Sequence, residues 1–111
     1  ISQGSAPTAV LGATTTGQGS TYTIEGNDTA GTIEFETGTD TISNPIAAGE
    51  QILVTFDEAY AQAPRITLTP LDAASATVDY FVTRDANGFT LHFIDIPAEN
   101  ETYSFDYQII Q

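Results

Sequence analysis

Apolar and polar residues alternate along most of the chain beyond residue 20, most regularly between residues 76 and 111. A period of two turns one face of a segment toward a core and the other toward water, which is typical of half-buried antiparallel strands. Turn residues separate the runs, so the sequence predicts seven strands in this region. The predicted inward positions are Tyr22 and Ile24; Ile33 and Phe35; Ile52, Val54 and Phe56; Ile66 and Leu68; Val78, Tyr80 and Val82; Phe89, Leu91 and Phe93; and Tyr103, Phe105, Tyr107 and Ile109.

The connections between these runs support the strand assignment. Asn87-Gly88 is the pair that most readily adopts positive φ in a tight hairpin. Pro64 and Pro70 bound one run, as expected for a residue that cannot donate to a central ladder. A long polar loop is predicted over residues 37–49, and a loop with one helical turn over 71–75. The predicted fold is all-β, an antiparallel two-sheet sandwich of jelly-roll-like kind.

The first 19 residues differ from the rest, being small, polar and rich in glycine. One interpretation is a flexible linker. The other is a strand over residues 6–15 that adds to a sheet edge, on this molecule or on a neighbour. Ala9, Leu11 and Ala13 would then share one face. We therefore divide the chain into an extended segment, 1–19, and a sandwich domain, 20–111. The candidate donor-strand residues are Ala6, Thr8, Ala9, Val10, Leu11 and Ala13.

The charge composition of the chain limits the classes of molecule that it is expected to bind. The chain has 15 acidic residues against two arginines and no lysine, for a net charge of −13. This charge repels phosphate backbones and anionic lipid, so neither nucleic acid nor a membrane surface is an expected partner. No apolar run is long enough to span a bilayer. An acidic surface suits an extracellular protein, and the start at Ile1 predicts a processed or excised chain.

No catalytic constellation is evident. His92 is the only histidine, so no second histidine exists to share a metal, and no cysteine is present. The acids are scattered and predict no paired-carboxylate cleft. Calcium remains an alternative for the acidic loops near Asp28, Asp40, Asp85 and Glu99, although Asp and Asn are also the residues that turns prefer. We expect no enzyme activity and no cofactor.

Four apolar residues fall on faces predicted to be outward: Leu53, Phe81, Ile94 and Ile110. Single exposed apolar side chains are common and need no function. Alternatively, these residues form a contact surface for another subunit.

Several motifs carry a resemblance to a known class of modules. They are Pro7-Thr8-Ala9, the run Gly26–Ile33, Val54-Thr55-Phe56, Ala63-Pro64-Arg65, Leu68-Thr69-Pro70, Tyr80-Phe81-Val82-Thr83, Gly88-Phe89-Thr90 and the final run Thr102–Ile110. Together they resemble a β-sandwich module of phage tail-fibre proteins and of large bacterial surface proteins, and the second half is loosely similar to H-type lectins. The resemblance implies a non-enzymatic, extracellular, fibre-associated module, often in a homo-oligomer.

Two functions follow as hypotheses. The first is a structural subunit of an extracellular filament, a homopolymer in which residues 6–15 complete the sheet of the next copy. The second is a tail-fibre or lectin-like module on a cell or virion surface, binding a glycan through loops 37–49 and 85–88 and exposed aromatics. If residues 6–15 fold back on their own chain, or lie free of any sheet, the first hypothesis fails in this form and the second takes its place.

Overall fold

The computed structural model describes residues 6–12 and 14–110, which form eight strands and one short helix. The strands are β1 (Thr8–Leu11), β2 (Thr21–Gly26), β3 (Ala30–Glu36), β4 (Gly49–Thr55), β5 (Arg65–Pro70), β6 (Tyr80–Asp85), β7 (Gly88–Phe93) and β8 (Thr102–Ile110). The helix α1 covers Ala73–Thr77. The predicted seven strands beyond residue 20 are all present, together with one N-terminal strand.

The strands form two antiparallel sheets of four strands each, which confirms the predicted two-sheet sandwich. The front sheet has the order β1-β4-β7-β6, and the back sheet has the order β2-β3-β8-β5. At the lateral edges of the sandwich, β1 contacts β2 and β5 contacts β6. The edge strands are therefore β1 and β6 in front and β2 and β5 behind.

The core lies between the sheets and is rich in aromatic rings. Phe93 from the front sheet packs against Tyr103 from the back sheet with ring centroids 5.1 Å apart, and Phe35 lies 5.5 Å from Tyr103. Phe89 and Tyr107 make a similar contact across the sheets at 5.8 Å. These side chains are the ones that the alternating pattern predicts to be buried. Each buried large apolar side chain stabilises the fold by about 1.5–3 kcal/mol.

One hairpin and one strand differ from the sequence prediction. The β6–β7 hairpin pairs Asp85 with Gly88, so its two loop residues are Ala86 and Asn87, and neither Asn87 nor Gly88 has positive φ. Asp85 Oδ1 instead accepts from the N–H groups of Asn87 (2.8 Å) and Gly88 (3.0 Å). Glycine is required at 88 for a different reason, because a Cβ there would collide with the carbonyl oxygen of Val54.

Gln51 is the second difference. The alternation predicts it on the outer face, but a register shift between Glu50 and Ile52 makes it fully buried. Its Nε2 donates to the carbonyl oxygens of Ala47 (2.9 Å) and Gly49 (3.1 Å). A bulge of this kind inserts one residue into a strand and breaks the alternation that sequence analysis relies on.

The helical turn predicted at 71–75 is present as α1, two residues further along, so Val78 is the C-cap of the helix and not the strand residue that the alternation predicts. Asp72 caps it, since Asp72 Oδ1 accepts from Ser75 N at 2.8 Å. Ser75 is fully buried, and its Oγ accepts from Ser104 N of β8 at 2.7 Å. The helix therefore covers one end of the back sheet and is fixed there by side-chain bonds.

Candidate functional site

The N-terminal strand β1 fills one edge of the front sheet of its own chain. It pairs antiparallel with β4, with Ala9 opposite Val54, Val10 opposite Leu53 and Leu11 opposite Ile52. Ala9 is buried, Leu11 is half-buried, and the side chain of Val10 is 64% exposed. Of the two arrangements considered for residues 6–15, the structure has the one on this molecule. Pairing with a neighbour would require β1 to leave this edge.

The other candidate donor residues lie around this strand. Thr8 is exposed on β1, opposite Thr55, and Ala6 is exposed just before it. Ala13 lies outside the described residues, so its predicted place on the face of Ala9 and Leu11 stays a prediction.

The chain after β1 is held by the loop that precedes β4. Thr16 forms an isolated bridge with Ile46, and Gln18 forms another with Thr39. Gln18 N donates to the carbonyl oxygen of Thr39 at 2.8 Å, and Thr39 N donates to the carbonyl oxygen of Gln18 at 2.9 Å. Ala47 N donates to the carbonyl oxygen of Thr15 at 3.1 Å. Residues 15–18 are thus fixed to the body of the sandwich, and β1 extends from that fixed point.

The outer face of the front sheet carries three of the four predicted contact residues. Leu53 of β4 lies opposite Val10 on one side and Thr90 on the other. Phe81 of β6 is 47% exposed, and Ile94, which directly follows β7, is 59% exposed. Ile110 is 47% exposed but belongs to the back sheet. The structure therefore brings Leu53, Phe81 and Ile94 to the front sheet and separates Ile110 from them.

His92 stacks on Phe81 on this outer face. The two ring centroids are 4.6 Å apart and the planes differ by 4°. His92 Nε2 lies 2.9 Å from Thr83 Oγ1, within hydrogen-bond distance. Among the described residues, no group of three or more His, Asp or Glu side chains is placed to hold a metal ion.

The acidic loops bond to backbone N–H groups. Asp28 is fully buried, and its Oδ1 and Oδ2 accept from Asp57 N and Glu58 N, both at 2.8 Å. Asp40 Oδ1 accepts from Ile46 N at 2.8 Å. Asp40 N in turn donates to Glu99 Oε2 at 2.8 Å. These carboxylates stabilise turns and loop contacts, the role that Asx residues commonly have.

Three tyrosine hydroxyls are perturbed by burial. Burial raises the pKa of Tyr107 to about 12, with the nearby charge of Asp28 and the Tyr60 hydroxyl adding to the effect. Burial also raises the pKa of Tyr60, and a hydrogen bond with Thr29 opposes this rise. In Tyr103 burial raises the pKa and a hydrogen bond to Ala98 opposes it. Tyr107 donates to the carbonyl oxygen of Asn27 at 2.6 Å, so these groups serve the fold.

A shallow groove of about 340 Å³ runs along the outer face beside the β6–β7 hairpin. Its walls include Leu53 and Thr55 of β4, Thr83 and Asp85 of β6, and Asn87 of the hairpin loop. The groove is open to solvent and mostly polar. It coincides with the 85–88 loop, one of the two loops that the sequence analysis assigns to glycan binding.

Comparison of the chain with protein-family models, curated protein sequences and solved structures finds no match. The resemblance to tail-fibre and surface-protein modules therefore stays a prediction. In the part of the chain that the structure describes, no helix is long and apolar enough to cross a membrane.

Sequence reasoning missed the buried role of Asp28. Its position in the turn Gly26–Asp28 was predicted, but its partners lie 29 and 30 residues away, beyond β4. No local pattern marks an aspartate that accepts from a distant loop. The bonds to Asp28 become evident only in the folded chain, where the connection that contains Asp57 and Glu58 lies over the end of the sandwich.

Proposed function

We propose that this chain is a non-enzymatic structural subunit of an extracellular protein fibre, and that it polymerises when β1 of one copy replaces β1 of the next. The observation that supports the proposal is the position of β1. Among the described residues it is the first strand, it is four residues long, and it pairs with β4 alone at a sheet edge. An identical element that moves between copies keeps the same bonds in its new place.

The hydrogen bonds and apolar burial that stabilise β1 nearly equal the conformational entropy lost when the strand is ordered. A four-residue antiparallel strand makes about four ladder bonds, each with a net value of about 1 kcal/mol. Partial burial of Ala9 and Leu11 adds about 2 kcal/mol at about 25 cal/mol per Å². Ordering four residues costs about 4–8 kcal/mol of conformational entropy. Release of β1 is therefore accessible, as expected for an element with few buried contacts.

The bonds made by residues 15–18 determine which part of the chain would have to move when β1 is exchanged. Residues 15–18 are bonded to loop 37–49, so they would stay with their own domain during an exchange. Gly12 N donates to the carbonyl oxygen of Gln51 at 2.9 Å, and this bond would have to break when β1 leaves. A β1 that points away from its domain would reach β4 of the next copy in the same antiparallel register. When each copy passes its β1 to a new copy and not back to the donor, the contact is head-to-tail and generates a filament.

The cis position of β1 has a consequence for assembly. A single chain whose own β1 completes the front sheet is stable without a neighbour, so polymerisation is a competition between cis and trans pairing. High protein concentration favours the trans form, because cis pairing is independent of concentration. Fibre formation should therefore show a threshold concentration and a lag.

Truncation tests the proposal. We expect a chain that lacks residues 1–12 to stay folded but form no fibres under conditions in which the full chain does, as judged by negative-stain microscopy and light scattering. Two point variants refine the test. Ala9→Lys places a charge on the buried side of β1 and should block assembly, whereas Val10→Lys makes the same change on the exposed side and should not. Fibres of normal length from the truncated chain would refute the proposal.

A glycan-binding module is the second candidate, and the groove beside the β6–β7 hairpin favours it. Thr83, Asp85 and Asn87 line the groove. Phe81 lies outside it, two residues before Thr83 on the same face of β6, where its ring stacks on His92 and is 47% exposed. Polar groups beside an exposed aromatic ring suit sugar recognition, since the ring covers apolar sugar faces and the polar groups orient hydroxyls. The cis position of β1 fits this candidate without any rearrangement.

A glycan array probed with monodisperse protein tests the second candidate. Specific binding that weakens in both Asn87→Ala and Phe81→Ala, but not in Ile110→Ala on the opposite sheet, would support it. Absence of binding on the array would count against it. Hydrolysis of a polymeric substrate by the purified chain would contradict both candidates.

A further inference from the structure

The four edge strands of the sandwich are protected to different degrees. An unprotected edge presents free backbone N–H and C=O groups that can pair with another chain, and proteins usually block it with short length, proline or an inward charge. Among the described strands, β1 is only four residues long and is preceded by Pro7. The strand β5 has Pro64 before it and ends at Pro70. Both of these edges are therefore poor templates for further pairing.

The edge at β6 carries the exposed charged side chain of Arg84, which hinders further pairing. Arg84 lies opposite the buried Phe89 of β7. Its Nη1 donates to the carbonyl oxygen of Ala63 at 3.2 Å, which carries the side chain across the edge. A strand approaching β6 would have to displace this guanidinium.

The edge at β2 has none of these features. The strand is six residues long, contains no proline and no basic residue, and carries one charge, at Glu25. Its core-facing side chains are incompletely covered, since Tyr22 is 43% exposed and Ile24 is only half-buried. Both lie opposite buried residues of β3, namely Phe35 and Ile33. An added strand would cover apolar surface as well as satisfy backbone groups.

We propose that β2 pairs antiparallel with β2 of a second copy, about a two-fold axis at Thr23. The two back sheets would then join into one continuous sheet of eight strands. This inference is independent of the proposed fibre function, because it concerns the back sheet and not β1.

The sequence of β2 is self-complementary in this register. With Thr23 opposite Thr23 of the second copy, Tyr22 lies opposite Ile24 and Thr21 lies opposite Glu25. An aromatic residue opposite a β-branched one is a favourable cross-strand pair. The single charge of the strand meets threonine and not a second carboxylate. Centring the axis on Tyr22 would shorten the paired region, and centring it on Ile24 would place Tyr22 opposite Gly26, which has no side chain.

Long-range charge opposes this association. Each copy carries a net charge of −13, and Glu34 and Glu36 lie on the neighbouring strand β3. Salt screens such repulsion beyond about 8 Å at physiological ionic strength. A contact of one strand pair lies at the small end of specific interfaces, so we expect a dissociation constant of about 0.1 mM that falls as salt is raised.

Sedimentation equilibrium of matched variants tests the interface. Thr23→Lys would place two lysines opposite each other at the axis and should weaken dimerisation at least tenfold. Thr67→Lys is the control, because Thr67 is an exposed threonine on the outer face of the other edge strand of the same sheet. It makes the same charge change and should leave the dissociation constant within twofold. Equal weakening in the two variants, or a monomeric wild-type chain at 1 mM at both low and high salt, would overturn the proposal.

Cysteine cross-linking provides a second readout if a lysine variant fails to fold. The chain has no native cysteine. Directly opposed antiparallel residues have Cα atoms about 4.5–5.5 Å apart, within the range of a disulfide. Thr23→Cys should therefore form covalent dimers much faster than Thr67→Cys under mild oxidation. Equal rates for the two variants would contradict pairing at β2.

Discussion

The buried carboxylate of Asp28 gives the sharpest test of what holds the sandwich closed at one end. It is fully buried and accepts from Asp57 N and Glu58 N, and its backbone carbonyl oxygen accepts from the Tyr60 hydroxyl. These bonds join the turn before β3 to the connection after β4. Asp28→Asn keeps the shape of the side chain but replaces one acceptor oxygen with an N–H₂ donor.

The expected magnitude follows from the two lost interactions. One charge-assisted bond, worth about 1.5–3 kcal/mol, is removed, and the other becomes a neutral bond worth about 1 kcal/mol. One backbone N–H also faces a donor. We therefore expect the free energy of unfolding to fall by about 3 kcal/mol. For a domain of this size that corresponds to a decrease in melting temperature of about 12 °C.

Urea denaturation followed by circular dichroism measures this change. The control is Asp57→Asn, which makes the same chemical change on an exposed side chain while keeping the backbone N–H that donates to Asp28. Its effect should lie within about 0.5 kcal/mol of zero. The reasoning would be refuted if Asp28→Asn were as stable as the wild type, or if the two variants lost the same stability.

Three further predictions concern stability. Tyr107 has a pKa of about 12 in the folded chain, against 10.0 for an unperturbed tyrosine. Its contribution to the free energy of unfolding is therefore complete below pH 10 and is lost as the pH rises to 12. Over this range, the urea midpoint should fall less steeply with pH in Tyr107→Phe than in the wild type. Gly88→Ala should destabilise the domain by about 1–3 kcal/mol in the same assay, since its Cβ would meet the carbonyl oxygen of Val54, and an unchanged midpoint would contradict that close approach. Thr37→Val removes the hydroxyl that accepts from Glu101 N at 2.9 Å and should lower the free energy of unfolding by about 1–3 kcal/mol, whereas an exposed Thr67→Val should change it little.

The strands were predictable because the core needs alternation. Phe89, Leu91 and Phe93 face inward on β7, as their spacing predicts, while Thr90 and His92 are less buried on the opposite face. The helical turn after Leu71 was also predictable, since Asp72 is a good N-cap. These features depend on residues that are close together in the sequence, so the sequence alone predicts them.

The features that escaped prediction depend on residues distant in sequence. Burial of Gln51 results from a bulge whose position only strand pairing reveals. The Asp28 bonds require the 57–58 connection to pass over the turn before β3. The fibre hypothesis placed residues 6–15 on the next copy, whereas the structure pairs β1 with β4 of its own chain. The sequence alone does not distinguish the two positions, because an edge strand makes the same backbone bonds on either copy.

The exchange of β1 can be measured most directly by asking which copy it pairs with in the assembled material. Val10 and Leu53 are register partners on the outer face of the front sheet, and the chain offers no competing cysteine. In the double variant Val10→Cys and Leu53→Cys, mild oxidation should join β1 to β4. If fibres assemble by strand exchange, non-reducing gels of oxidised fibres will show a ladder of covalent oligomers that collapses on reduction. A single monomeric band from oxidised fibres would mean that β1 stays on its own chain, and would contradict the account.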